Sequence, residues 1–225
     1  MKKIKKKVLF MGRLNDQYSN KIIKILEKKF KFLSVFLSKN KNQKLDKKIL
    51  NWKGDIIICF RNHYILSEKF IKKAKICAIN FHPGPPKYRG IGCVNFALRN
   101  KEKYYGATAH LIEKTVDSGK ILDAKLFKIS ITDSVDKVLK KTYEAQLKQF
   151  RFLINKLIKK NYNLKIFNKN IRWSSKLYLR KDLEKLYIIN HKSKKRELVN
   201  IIRSTNTQKF KPYITIHGYK FILDN

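Results

Sequence analysis

Two polar side chains stand at the end of a largely apolar strand in the middle of the chain. Residues 75–79 form this strand, Asn80 and His82 follow it, and a stiff Pro/Gly turn begins at Pro83. Because alternate side chains of a strand point to the same face, Asn80 and His82 are expected to converge just beyond the sheet. Open α/β sheets bind ligands at that edge. An amide N–H and an imidazole N–H there could stabilise negative charge that develops on a substrate oxygen.

The surrounding elements must position this pair, and they alternate between apolar strands and amphipathic helices. This alternation predicts an α/β fold with a doubly wound, mostly parallel, Rossmann-like sheet. The predicted strands are 8–11, 32–37, 55–60, 77–81, 108–112 and 121–129, and the predicted helices are 19–30, 67–73, 94–99 and 134–159.

The pattern weakens after residue 161, where only a small α+β extension is predicted. Its helices are 181–186 and 194–203, its hairpin turns at His217-Gly218, and residues 173–178 are expected to be irregular. We therefore expect a catalytic domain over residues 1–165 and a C-terminal extension over residues 166–225.

Two short patterns accompany the polar pair. The first reads Asn-x-His-Pro-Gly-Pro-Pro-Lys-Tyr-Arg-Gly over residues 80–90, and the second ends in Asp117-Ser118-Gly119. Together they resemble the signature of the folate-dependent formyltransferases. The resemblance is strong over about residues 54–131 and weaker over about residues 170–223. It implies an enzyme that takes a formyl group from 10-formyltetrahydrofolate as co-substrate.

The implied reaction needs both oxyanion stabilisation and proton transfer. An amine attacks the formyl carbon, and N–H donors on Asn80 and His82 suit the oxyanion that forms. A carboxylate beside the imidazole can hold the ring's tautomer and relay protons, so Asp117 completes the catalytic set. Each residue alone also has a structural interpretation, as a turn cap, a loop histidine or a turn aspartate. Their joint occurrence favours the catalytic interpretation.

The resemblance also assigns binding residues. The residues assigned to the folate pocket are Phe60, Arg61, Ile65, Leu66, Val116, Ser118 and Gly119. The residues assigned to the acceptor are Pro83, Gly84, Lys87, Tyr88, Arg89, Arg180 and Arg203. His110 lies within a strand pattern and is interpreted as a packing residue.

The loop after His82 bears on the acceptor. Enzymes that act on initiator tRNA or on the purine intermediate usually carry Ser-Leu-Leu-Pro there, whereas this chain carries Gly84-Pro85-Pro86. This loop resembles that of enzymes that formylate nucleotide-linked amino-deoxysugars, the GDP-perosamine type in particular. The resemblance implies a role in surface polysaccharide, such as lipopolysaccharide, biosynthesis. The alternatives are a methionyl-tRNA formyltransferase and, from another class, a non-catalytic RNA-binding module.

The charge of the chain bears on these alternatives. There are 54 basic and 16 acidic residues, for a net charge of +38, while 43% hydrophobic residues argue against a disordered chain. Lys supplies 45 of the basic residues, and they are spread along the whole chain. A dedicated nucleic-acid binder usually concentrates its charge and uses more Arg, so a nucleic-acid partner is the less favoured interpretation.

The cysteines and the apolar runs indicate whether the chain binds a metal and where in the cell it is expected to be. Cys59, Cys77 and Cys93 have no metal-ligand spacing, so no metal site is expected, and their odd number suits a reducing cytoplasm. The apolar run after the basic start is too short for a signal peptide, and no run is long enough to enter a membrane. The oligomeric state is left open, with a homodimer as one alternative.

Overall fold

The structure is a computed structural model, and it describes residues 2–167 and 170–224. Strands and helices alternate through most of the chain. The strands are β1 Ile4–Arg13, β2 Phe30–Ser38, β3 Gly54–Phe60, β4 Ala74–His82, β5 Arg89–Gly90, β6 Tyr104–Leu111, β7 Ile121–Lys128, β8 Leu177–Tyr178, β9 Ile188–Ile189, β10 Tyr213–Ile216 and β11 Tyr219–Ile222. The helices are α1 Gln17–Lys29, α2 Lys47–Leu50, α3 Glu68–Ile71, α4 Cys93–Arg99, α5 Val135–Lys159, α6 Arg180–Leu186 and α7 Lys195–Thr205, with a 3-10 helix at Leu164–Phe167.

The main sheet has six strands in the order β2-β1-β3-β4-β6-β7. Strands β1 to β4 pair in parallel, and β6 runs antiparallel to β4. The chain moves from β1 outward to β2 and then crosses back to β3 on the other side of β1, which is the doubly wound arrangement. The predicted α/β fold with a mostly parallel sheet is therefore confirmed.

The chain divides into two compact units, and each draws on several segments. The first unit consists of Met1–His82, Thr108–Ala124 and Gln146–Ile171, and the second consists of Pro83–Ala107, Lys125–Ala145 and Arg172–Asn225. The predicted domains follow the chain continuously, from 1 to 165 and from 166 to 225, whereas these units do not. The assignment of a catalytic domain and an extension stays a prediction.

The first unit is built on strands that are covered on both faces. Residues 8–11 of β1 are all fully buried, which explains why this stretch reads as a continuous apolar run. Helix α1 begins at the cap Asp16, whose carboxylate accepts from the backbone N–H of Ser19, and it buries Ile22 and Leu26.

Helix α5 holds the strand that carries the polar pair. Phe150 packs against Phe81, with ring centroids 5.5 Å apart. The fully buried Gln146 donates from Nε2 to the backbone carbonyl of Phe81 over 2.7 Å. Because Phe81 lies between Asn80 and His82, this bond anchors the strand at the point where its polar side chains emerge.

The second unit has a separate aromatic core. The rings of Phe96 and Tyr178 stack with centroids 3.9 Å apart, and Tyr88 stacks on Tyr178 at 5.7 Å. Residues 173–178 were expected to be irregular, but Leu177 and Tyr178 form β8, which pairs in parallel with β5. Gly90 makes this pairing possible, because its φ is 90° and a Cβ there would lie 2.3 Å from the Tyr178 carbonyl oxygen.

The C-terminal part of the second unit forms a small sheet in the order β11-β10-β9. The β10–β11 hairpin turns at His217 and Gly218, as the sequence predicts. Both turn residues have positive φ, 47° and 83°, which is the conformation that a tight two-residue hairpin turn requires.

Candidate functional site

Four polar residues of the first unit contact one another, and three of them are buried, while Asn80 is half-buried. His110 on β6 lies directly across from Asn80 on β4, and Nδ2 of Asn80 lies 3.1 Å from Nε2 of His110. Asp117 joins the two histidines: Oδ2 lies 3.1 Å from Nδ1 of His82, and Oδ1 lies 3.3 Å from Nε2 of His110. We call Asn80, His82, His110 and Asp117 the polar cluster.

Asp117 reaches this cluster from a loop with a strained backbone. The φ of Asp117 is 47°, a conformation that costs a non-glycine residue free energy. Gly119 lets the loop lie against the end of β6, because a Cβ there would lie 1.9 Å from the backbone oxygen of Leu111. The glycine of Asp-Ser-Gly is thus required by a close backbone approach and not by a positive φ.

The electrostatics keep Asp117 ionised. Burial raises the pKa of the Asp117 carboxyl, but the charges and hydrogen bonds of His82 and His110 outweigh that effect and hold the pKa well below its usual range. A carboxylate that is ionised at every physiological pH can accept hydrogen bonds from both rings. The orientation of His82 is therefore fixed by an ionic hydrogen bond.

His110 has a defined tautomer. Its Nδ1 lies 2.7 Å from the carbonyl oxygen of Leu111, which can only accept, so Nδ1 carries a proton. In the neutral ring, Nε2 accepts from the Asn80 amide, and in the charged ring Nε2–H donates to Asp117.

A cavity of about 170 Å³ opens beside the cluster. Asn80, His110 and Asp117 line it, together with the polar or charged residues Asn62, Glu113, Lys114 and Thr115. Ile65 and Val116, which are 75% and 43% exposed, contribute apolar surface. Cys59 also lines the cavity, and burial raises the pKa of its thiol to about 12. An apolar cleft with a few convergent polar groups is the usual form of a small-molecule site.

The residues predicted to bind folate fall into two groups. Ile65, Leu66 and Val116 line the cavity. The other four have contacts within the fold: Phe60 is fully buried in the core, the Arg61 guanidinium pairs with Asp16, Ser118 Oγ donates to the Thr115 carbonyl, and Gly119 packs on Leu111.

The residues predicted to bind the acceptor all lie in the second unit, and several have structural partners there. Tyr88 is buried, and its hydroxyl donates to Glu102 over 2.8 Å and accepts from Asn100 over 3.0 Å. The Lys87 ammonium lies 2.6 Å from the same Glu102 carboxylate. The carbonyl of Pro83 accepts from the Tyr105 hydroxyl, and Gly84 is buried.

The three arginines of the acceptor set differ. Arg89 donates to the carbonyl of Ser174 over 3.0 Å. Arg203 donates to the carbonyls of Ser130 and Asp133 over 2.8 and 3.2 Å, and burial lowers the pKa of its guanidinium. Arg180 is exposed at the start of α6 and lines a separate groove of the second unit. These contacts give Tyr88, Arg89 and Arg203 a stabilising role within the second unit.

His110 is the member of the cluster that sequence reasoning missed. Its strand position predicts packing, and the ring is indeed buried, but both ring nitrogens have polar partners. The available signal was the pairing of β6 with β4. A histidine opposite Asn80 follows from that register, and the register could not be read from either strand alone.

Neither a metal-binding cluster nor a membrane-spanning helix occurs among the described residues. In residues 2–167 and 170–224, no group of three or more His, Cys, Asp or Glu residues has the arrangement of a metal site. Within the same ranges, no helix has the length and hydropathy needed to cross a bilayer.

The fold and the cluster agree with the comparisons to known proteins. Residues 10–152 match the family described as formyl transferase. The chain therefore belongs to the formyl transferase family.

Individual proteins show where the similarity lies. The chain is similar to the bifunctional polymyxin resistance protein ArnA of Wigglesworthia glossinidia brevipalpis, with 30% identity over 92% of this chain and 31% of that protein. It is also similar to the methionyl-tRNA formyltransferase of Levilactobacillus brevis, with 33% identity over 36% of this chain and 26% of that protein. The chain spans about a third or less of the length of these curated relatives.

Among solved structures, the fold is similar to that of the N-formyltransferase from Helicobacter canadensis in complex with folinic acid and dTDP-3-aminofucose. The TM-score is 0.72 at 21% identity, and the match covers 94% of this chain and 84% of that one.

Proposed function

We propose that this chain moves a formyl group from 10-formyltetrahydrofolate to the amine of a nucleotide-linked amino-deoxysugar. The observation that carries the proposal is the buried polar cluster, in which Asp117 bridges His82 and His110 beside an apolar cavity. Membership of the formyl transferase family supports the reaction type. GDP-perosamine is the acceptor that we propose first, with a cytoplasmic role in surface polysaccharide synthesis.

In the proposed reaction, the acceptor amine attacks the formyl carbon and forms a tetrahedral intermediate. The C–N bond to the folate then breaks, the amine loses a proton, and the folate nitrogen gains one. Asn80 stabilises the oxyanion by N–H donation, and His82 does so from Nε2 once that nitrogen has taken the proton that the amine loses. Because Asp117 accepts from Nδ1 of His82, we assign the proton exchange with the reacting nitrogens to Nε2 of His82.

The cavity suits the flat part of the folate. Its volume of about 170 Å³ is that of a ring system and not of a whole cofactor, so the remainder of the folate would lie outside it. Apolar surface from Ile65, Leu66 and Val116 would cover the ring faces. The neighbouring Phe60, Arg61, Ser118 and Gly119 would support this site by holding its strand end and loop.

Two considerations support a nucleotide sugar as acceptor. The loop over residues 83–90 resembles that of the sugar enzymes. The protein from Helicobacter canadensis, which shares the fold, is described in complex with both folinic acid and dTDP-3-aminofucose. The sequence assigns Lys87, Arg89, Arg180 and Arg203 to the acceptor's phosphates. Of the three arginines, Arg180 is the one that we retain first, because it is exposed while Arg89 and Arg203 are half-buried and donate to backbone carbonyls.

The test is a product assay with the full chain. The protein is incubated with 10-formyltetrahydrofolate and a panel of GDP-, dTDP- and UDP-linked amino sugars, and the products are weighed by mass spectrometry. We expect one amino sugar to gain a single formyl group, and His82→Gln to abolish that gain. His191→Gln serves as the matched control, because His191 is exposed and remote from the cluster in sequence.

The second candidate is a methionyl-tRNA formyltransferase, which the net charge of +38 and the alignment with the Levilactobacillus brevis enzyme favour. Adding charged methionyl-tRNA to the same panel separates the two. Formylation of the tRNA with no formylated sugar would overturn our proposal. Binding of RNA without any formyl transfer would favour a non-catalytic RNA-binding module.

A further inference from the structure

The second unit contains a groove that none of the motifs predicts. It lies between α6 and the β10–β11 hairpin, and its volume is about 440 Å³. We call it the C-terminal groove. Arg180, Leu183 and Glu184 contribute one wall from α6, and the hairpin contributes Tyr213, Lys220 and Ile222.

The groove is strongly cationic. Arg180, Lys209, Lys211 and Lys220 line it, and among the described lining residues Glu184 is the one carboxylate. Within the described parts of the chain, no carboxylate forms an ion pair with any of the four cations, whereas Lys87 and Lys141 elsewhere in this unit do have such partners. Four neighbouring cations with a single carboxylate among them repel one another, and an anionic ligand would relieve this repulsion.

The groove is also aromatic. The Lys220 ammonium lies 3.8 Å from the ring centroid of Tyr213. Tyr187 and Phe210 meet edge to face, with ring centroids 6.4 Å apart. Phe210 is 51% exposed, so a large part of its ring is accessible to a ligand. A planar heterocycle stacks favourably on such a ring.

We propose that the C-terminal groove binds the nucleoside diphosphate part of the acceptor. This inference rests on the proposed function and names the surface that recognises its substrate. The base would stack on Phe210, and Lys211, Lys220 and Arg180 would bind the pyrophosphate. The volume of about 440 Å³ lies within the range of small-molecule sites and fits a single nucleotide.

The size of the groove favours a mononucleotide over RNA. Proteins that bind single strands without sequence preference track a run of nucleotides along a charged groove with several stacking rings. Among the described residues that line the C-terminal groove, Phe210 is the one aromatic residue that is more than half exposed, which matches the stacking of a single base beside the cations.

The test measures binding to the full chain by titration calorimetry, with GDP, dTDP and UDP as probes. We expect one of them to bind, and Lys220→Gln and Phe210→Leu each to weaken the Kd at least about fivefold. Lys181→Gln and Tyr219→Leu are the matched controls. Lys181 is exposed on α6 and Tyr219 is 74% exposed on the hairpin, but neither lines the groove. Both controls should bind as the unchanged chain does.

The outcomes separate the groove from the reaction. If the chain formylates an amino-sugar nucleotide while Lys220→Gln and Phe210→Leu leave its KM and the nucleotide Kd unchanged, the groove assignment is wrong and the proposed function stands. If a nucleoside diphosphate binds with the expected dependence but no amino sugar is formylated, the proposed function is wrong and the groove stands.

A parallel titration of the chain with single-stranded RNA tests the competing ligand. An oligonucleotide whose binding depends on Lys220 and Phe210, together with no binding of any nucleoside diphosphate, would overturn the assignment. Circular dichroism of each variant shows whether a loss of binding reflects unfolding instead, and a folded variant with an unchanged Kd contradicts the proposal.

Discussion

The polar cluster and the C-terminal groove use polar side chains in opposite ways. In the cluster, three buried residues and the half-buried Asn80 bond to one another, and the ionised Asp117 lies between two rings. In the groove, four cations lie near one another and face a single carboxylate among the described lining residues. A buried, fully bonded arrangement stays in place without a ligand, whereas an exposed cationic one gains partners when an anion binds.

This difference assigns different roles to the two regions. A preorganised set of donors lowers the barrier of a chemical step, because it does not need to reorganise as charge develops. An accessible set of cations recognises a ligand and contributes to affinity. Substitutions in the cluster should therefore change turnover, and substitutions in the groove should change KM and Kd.

The largest effect is expected from breaking the bridge between His82 and Asp117. His82→Gln and Asp117→Asn should each lower turnover at least about a hundredfold, since each removes a proton-transfer or oxyanion group. Steady-state kinetics with the accepted sugar measure this loss, and circular dichroism should show an unchanged fold. Near-normal turnover in either variant would remove the distinction between the two regions.

The next largest effect is expected at Gly119. Gly119→Ala places a Cβ against the Leu111 backbone oxygen, so the loop that carries Asp117 must move. We expect turnover to fall about tenfold or more, because small displacements of catalytic groups are costly. Gly218→Ala in the hairpin is the control, since no atom lies within 4 Å of its added Cβ. That variant should lose about 1 kcal/mol of stability from its positive φ and keep its turnover. Equal losses of turnover in both would contradict this reasoning.

A smaller effect is expected at His110. His110→Gln keeps a polar group on β6 but removes the ring that joins Asn80 to Asp117, and we expect turnover to fall about tenfold. The loss should appear mainly in turnover and less in KM, because His110 contacts the two polar groups Asn80 and Asp117. Unchanged turnover in a folded variant would make His110 a purely structural residue.

The smallest effect concerns acid stability. The pKa of Asp117 is lower in the folded chain than its ordinary value of 3.8, so the carboxylate stabilises the fold above that pH. This contribution decreases as pH falls below 3.8, by up to about 1.4 kcal/mol per pH unit. Denaturant unfolding of the wild type and Asp117→Asn should therefore give free energies of unfolding that converge in acid. A difference that stays constant from about pH 6 to about pH 3 would show that Asp117 is not held by the histidines.

Much of the fold was predictable because its signals are local. The continuously apolar β3, the amphipathic α5 and the His217-Gly218 turn depend on residues adjacent in sequence. The sequence did not predict the pairing of β8 with β5, for two reasons. A strand of two residues is too short to show a periodic pattern, and the pairing depends on Gly90, which is far away in the chain.

The same limit applies to the sites. Asn80, His82 and Asp117 were predicted from two motifs, and the structure brings them together with His110. The partners of Tyr88 and Arg203 come from distant segments, so the sequence could not show that both have contacts within the fold. Of the residues that line the groove, the sequence assigned only Arg180 to the acceptor, because single lysines do not stand out in a chain this rich in lysine.

The thiol of Cys59 has a consequence for the fidelity of the reaction. A formyl group on folate is an electrophile, and a thiolate in the cavity would compete with the acceptor amine for it. Burial keeps this thiol protonated, with a pKa of about 12, so the sulfur is a poor nucleophile at neutral pH. The same protonation slows attack by peroxides, which react with thiolates. In the proposed reaction, a folate ring could therefore lie beside this cysteine without the sulfur competing for the nearby formyl group.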